Sequence, residues 1–128
     1  MKLKIITLSI LFLAISSIIT AQNIPEDIPT AFKTGDIQRL EKYMDEKIYL
    51  IIPDLKQQMP RQKAKEALSA FFLKNKPHDF KTIHQSEQNN SGYMIGKLVT
   101  GNGEFRVHVL MKIIEKKYII HQLRIENF

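Results

Sequence analysis

The sequence predicts an α+β domain, with two or three N-terminal helices packed on one face of a strongly curved antiparallel sheet. Three observations lead there. Apolar residues between Pro25 and Lys74 recur mainly at helical spacing, whereas beyond Pro77 the pattern changes to that of strands. Two polar turn signals, Gln88-Asn89-Asn90-Ser91-Gly92 and Gly101-Asn102-Gly103, cut this second half into strands. Helices first and strands last is the order of a layout in which the helices cover one sheet face.

Each element has its own justification. Pro25-Glu26-Asp27-Ile28-Pro29 combines prolines that a first helical turn tolerates with acids that suit the positive end of the helix dipole. Ile28, Ala31 and Phe32 share a face, Gly35 closes the helix, and Asp36 is placed to cap a second one. In that second helix Ile37, Leu40 and Met44, with Tyr43 beside them, make the buried stripe. Ile48-Tyr49-Leu50-Ile51-Ile52 is β-branched and apolar and stops at Pro53-Asp54, so it reads as a strand. Pro60 opens a third helix that reaches to about Lys74, with Ala64, Ala67, Leu68, Phe71 and Phe72 inward. Strands follow at Phe80 to Glu87, Tyr93 to Thr100, Glu104 to Glu115 and Tyr118 to Glu126.

The last strands allow a register to be written. A two-residue turn at Asn102-Gly103 pairs Thr100 with Phe105, Leu98 with Val107, Gly96 with Val109 and Met94 with Met111, all on the core face. The opposite face carries Tyr93, Ile95, Lys97 and Val99 against Lys112, Leu110, His108 and Arg106, a mixture too apolar for free solvent. A three-residue turn at Glu115-Lys116-Lys117 sets His121 inside, opposite Met111; a slip of one residue turns it out.

The first residues stand apart from the domain. Met1-Lys2-Leu3-Lys4 brings two positive charges, Ile5 to Ile19 brings none, and Thr20-Ala21-Gln22 puts a small residue before a polar one. That is the pattern of a cleaved secretory signal peptide. At about 1.5 Å per residue the apolar run reaches roughly 22 Å, short of the ~30 Å hydrocarbon core that a retained anchor has to cross. The expected organisation is a signal peptide over residues 1–21 and a single domain over residues 22–128. Such a domain is soluble, periplasmic or secreted, with no stable membrane insertion after cleavage.

Composition removes several functional classes. There is no cysteine, which excludes disulfides, thiol catalysis and cysteine metal sites. Removing Lys2 and Lys4 from the formal charge of +6 leaves +4, spread along the chain. Nucleic-acid binding calls for a denser basic stripe, so no nucleic acid is expected. Four histidines without His-x-His or His-x₃-His spacing indicate no metal site, and no phosphate loop, dinucleotide fingerprint or nucleophile elbow points to a cofactor.

The segment Ala31-Phe32-Lys33-Thr34-Gly35-Asp36-Ile37-Gln38-Arg39-Leu40, the strand from Tyr49 to Pro53, the helix around Ala67-Leu68-Ser69-Ala70-Phe71-Phe72 and the closing strands resemble the nuclear-transport-factor-two-like superfamily. This is also called the SnoaL-like or cystatin-like cone. More narrowly, the chain looks like a small exported bacterial family, domain of unknown function 4783. The resemblance implies the cone-shaped fold and leaves activity open, because members include isomerases, dehydratases, cyclases, ligand binders and scaffolding dimers. In the ketosteroid isomerase-like members, the general base and the two oxyanion donors fall on positions occupied here by Ile52, Ile28 and Val109. Enolisation needs a base and hydrogen-bond donors. Three aliphatic side chains supply neither.

The remaining candidates are few. His121, with Tyr49 or Asp54, is the candidate catalytic set for a hydrolase- or dehydratase-like enzyme; a core histidine is the plainer alternative. Tyr93, Lys97, Arg106 and His108 are candidates for a ligand or partner surface, against the plainer alternative of a solvated sheet face. The favoured expectation is a non-enzymatic exported domain that binds a small apolar or amphipathic ligand, or a protein partner, through its cone. A homodimer joined through the Ile95/Leu110 face is the third possibility.

Overall fold

The computed structural model describes residues 24–128; the expected leader at residues 1–21 lies outside the described residues. The chain runs α1 (Asp27–Thr34), α2 (Ile37–Glu41), β1 (Met44–Ile52), β2 (Leu55–Pro60), α3 (Arg61–Lys74), β3 (Pro77–Gln88), β4 (Ser91–Thr100), β5 (Gly103–Ile114) and β6 (Lys117–Asn127). The six strands form one curved sheet in the order β2-β1-β6-β5-β4-β3. The α+β layout is as the sequence predicts, with the helices together on one face.

The helices form where their caps and apolar faces fall. Gly35 takes φ 73°, and its N–H bonds back to Ala31, which ends α1. Asp36 then accepts from the Arg39 N–H and opens α2. Asp27 ties the two helices and the turn before β1 together, accepting from Arg39 Nη1 at 3.2 Å and from the Tyr43 hydroxyl at 3.0 Å. Pro60 is the extended residue before α3, and Ala64, Leu68, Phe71 and Phe72 are its buried face.

Four expectations need correction. The second helix is a single turn that ends at Glu41, so Met44 is the first residue of β1 rather than part of a helical stripe, although it is buried all the same. The segment after Pro53-Asp54 is a strand, β2, antiparallel to β1. The sheet is mixed: β1 runs parallel to β6, and every other pairing is antiparallel. Finally, the β4–β5 turn is Gly101-Asn102, so Thr100 pairs with Gly103, Leu98 with Phe105 and Met94 with Val109. That register differs from the expected one by two residues and therefore keeps every side chain on its expected face.

The core lies between the helices and the inner sheet face. Phe32 of α1, Leu68 and Phe72 of α3, and Leu98, Val109 and Ile125 of the sheet are all buried there. Phe32 stacks on Phe80 and meets Phe72 edge-on. Ile28 and Val109 are completely buried and Ile52 partly so. The positions where the ketosteroid isomerase-like members hold catalytic groups are packing positions in this chain.

Candidate functional site

The outer face of the sheet gathers most of the residues singled out above. Alternation on β4 and β5 sends Tyr93, Ile95 and Lys97 outward beside Leu110, His108 and Arg106 respectively. The apolar pair Ile95 and Leu110 is half-buried. With Tyr93, Ser86, His108 and His121 it lines an open groove of about 510 Å³.

His121 reaches this groove at a β-bulge. The β5–β6 turn contains only two residues, Glu115-Lys116, and Ile120 lies opposite Met111; the pairing then shifts so that Gln122 faces Leu110. His121 is the extra residue. Ile120 and Leu123 are buried on either side, so His121 and Gln122 both stand on the outer face. The expectation of an inward His121 is corrected: the turn is one residue shorter than expected, which turns His121 outward, and the bulge restores the expected pairing from Leu123 on.

The electrostatics of the site follow from its neighbours. Lys112 Nζ bonds Asp45 Oδ2 at 3.1 Å. Burial works against the Asp45 carboxylate, but the Lys112 bond and the Glu46 N–H outweigh it and hold its pKa below the ordinary value. For His121, burial and then the Lys112 charge favour the neutral ring, with Asp45 opposing, so its pKa lies below 6.5. His108 Nε2 lies 3.1 Å from Glu126 Oε1, and Lys97 Nζ lies 3.7 Å from Glu104. The Phe128 ring sits under Arg106 at 4.9 Å and Lys97 at 5.7 Å.

A consequence can be measured. The unfolded chain takes up the His121 proton more readily than the folded one, so folding stability should fall as pH drops through 6.5 toward the lower folded value. The urea midpoint is expected to be lower at about pH 5.5 than at about pH 8. His121→Gln should reduce that difference; an unchanged difference would assign it to another group.

The candidates divide between surfaces. Tyr93, His108 and His121 line the groove, while Lys97 and Arg106 flank it on the same face. Tyr49 lines an adjoining depression of about 460 Å³ that shares His121 and adds Asp45 and Lys112. Asp54 is elsewhere, in the β1–β2 turn beside Ala67, Phe71 and Phe105, so it does not meet His121. Asp45 and Lys112 were not among the sequence candidates. Asp45 stands on β1, and only the nonlocal approach of β1 to β6 and β5 brings it to the site. Among the described residues no three His, Asp or Glu side chains cluster as metal ligands.

The model of a family described as a domain of unknown function, DUF4783, matches residues 25–126, nearly the whole described domain. The chain belongs to the DUF4783 family. It is similar to a DUF4783 family protein from Bacteroides ovatus ATCC 8483, with 41% identity and a TM-score of 0.79, covering 84% of this chain and 98% of that one. A DUF4783 family protein from Bacteroides uniformis ATCC 8492 shares 39% identity at a TM-score of 0.78, covering 83% and 98%. Another, from Bacteroides fragilis YCH46, shares 37% at 0.78, covering 83% and 100%. A de novo designed protein with curved β-sheet, 14% identical at a TM-score of 0.59, shows likeness of fold alone and covers 77% of this chain and 90% of that one. No curated protein matches the chain. The DUF4783 fold therefore reaches this sequence with a family name that carries no activity.

Proposed function

We propose that this DUF4783 protein is an exported, non-enzymatic binding domain whose ligand site is the outer sheet groove rather than the interior of the cone. One observation carries the reading: Ile95, Leu110 and Tyr93 form an apolar floor and wall in an open groove of about 510 Å³, within the usual range for small-molecule sites. The polar groups Ser86, His108 and His121 stand at its margin, which suits an apolar or amphipathic ligand. The residues under the helices, by contrast, are packed against one another. Export is supported by the basic, apolar and small-residue pattern of residues 1–21. Among the described residues no helix is long and apolar enough to cross a membrane.

Leu110→Glu tests the site. The charge projects from the outer face, so the fold and melting temperature should change little. Binding of an uncharged apolar dye such as N-phenylnaphthylamine should be lost, because the carboxylate must be desolvated beside the dye. Equal dye binding by the variant and the parent would remove the groove from consideration.

The homodimer reading draws on the same face. Ile95 and Leu110 are flanked by polar pairs, Lys97 with Glu104 and His108 with Glu126, as an interface core is by its rim. Sedimentation at the monomer mass over a wide concentration range would exclude it. The enzymatic reading keeps His121 and Tyr49, which share a depression, and loses Asp54.

A further inference from the structure

A second cavity, of about 540 Å³, opens where the α2–β1 junction, the first residue of α3 and the β5–β6 turn converge. It shares no lining residue with the sheet groove. Four cations line it, Lys42, Arg61, Lys116 and Lys117, against two carboxylates, Asp45 and Glu46. Asp45 is already bonded to Lys112, which does not line this cavity. Among the described residues, Lys42, Lys116 and Lys117 are in no ion pair within 4.0 Å. Arg61 is held in place by one donor, Nη1, which bonds the Met44 carbonyl at 3.2 Å. The rest of its planar fork remains for a ligand. Tyr43 and Tyr118 commit their hydroxyls to Asp27 and Glu87, so their contribution to the cavity is the wall of their rings.

The turn that presents two of these cations goes against local preference. Ile114 pairs with Lys117 around Glu115-Lys116, and both turn residues have positive φ, 49° and 66°. Two-residue hairpin turns of this kind favour asparagine and glycine. A lysine at such a φ is held in a sparsely populated conformation, and it sits in a cavity already rich in cations. Crowding four cations against the carboxylate of Glu46 and an Asp45 already paired with Lys112 opposes folding, and a bound anion relieves it.

We propose that this cavity binds a phosphate-bearing group, either in a soluble molecule or in an anionic lipid headgroup. Arg61 makes the two-point contact, and Lys42, Lys116 and Lys117 supply the charge. The proposal does not depend on the sheet groove.

The test is a titration of the purified protein with inorganic pyrophosphate, followed by amide shifts, with cosedimentation on phosphatidylglycerol and phosphatidylcholine vesicles alongside. The expected shifts concentrate at residues 42–46, 61 and 116–119 and diminish with added salt. Lys42→Ala/Lys116→Ala should weaken the response about tenfold or more. Lys116→Gly separates binding from architecture, since it relieves the positive φ while removing a cation: its melting temperature should rise as its pyrophosphate affinity falls. Pyrophosphate binding without phosphatidylglycerol binding assigns the group to a soluble ligand, and the reverse assigns it to a membrane surface; both support the shared chemistry. The proposal is overturned if neither probe binds. It is equally overturned if shifts scatter over lysines across the whole surface, or if the double variant responds as the parent does.

Discussion

Gly96→Ala is expected to destabilise the domain by about 3 kcal/mol, the upper part of the usual range for overpacking a core. A Cβ at this position would run into Cζ of Phe80 and stand 2.7 and 2.8 Å from its Cε2 and Cε1. The phenyl ring has nowhere to go. Its other side stacks on Phe32 at a centroid distance of 5.2 Å, and Phe32 is itself enclosed. Space, and not an unusual φ, is what demands glycine here. For a domain of this size each kcal/mol lowers the melting temperature by roughly 4–8 °C, so thermal scans should show a fall of about 12 °C or more. Gly92→Ala is the control on the same strand, because its nearest neighbour would be 3.6 Å away. Equal melting temperatures for the two variants would mean that Phe80 moves aside freely.

What the sequence disclosed depended on how local each determinant is. Side-chain faces on β4 and β5 were legible because period-two alternation needs only neighbouring residues. Register was less so, since Gly101-Asn102-Gly103 contains two overlapping turn pairs. The structure uses the first, with Thr100 Oγ1 donating to the Gly103 carbonyl at 2.8 Å and accepting from the Asn102 N–H at 3.1 Å. On β6 the adjacent Ile119 and Ile120 supported two phases equally. Reading inward from Ile119 placed His121 in the core, whereas Ile120 is the buried one and the bulge restores the phase at Leu123. β2 was missed because Lys56, Gln57 and Gln58 are exposed on a sheet edge and show no apolar alternation. Met44 fell at helical spacing from Leu40 by coincidence. The groove needed the β4–β5 register and the β6 phase together, which is why its residues were nameable one by one and its shape was not. Gly96 did carry a signal, because glycine inside a strand often marks close approach. Its partner, Phe80 on the edge strand, required the β3–β4 register.

Phe32→Ala should be the costliest truncation in the core, about 4 kcal/mol by the usual range for buried phenylalanine. The side chain is fully buried, stacks on Phe80 and meets Phe72 edge-on at 6.4 Å, so it joins α1, α3 and the β3 edge through one ring. Removing it forfeits burial, both aromatic contacts and the packing between three elements. Urea denaturation should show the loss in the midpoint with an unchanged slope. A cost below about 2 kcal/mol would mean that the surrounding side chains collapse into the space. The double variant Phe32→Ala/Gly96→Ala carries the sharper test. The cavity left by Phe32 lies against the ring that a Cβ at Gly96 would push, so one change makes room for the other. The combined loss should fall short of the sum of the single losses by about 1 kcal/mol or more. Strict additivity would show that Phe80 does not transmit the strain, and that the two costs arise from separate packing faults.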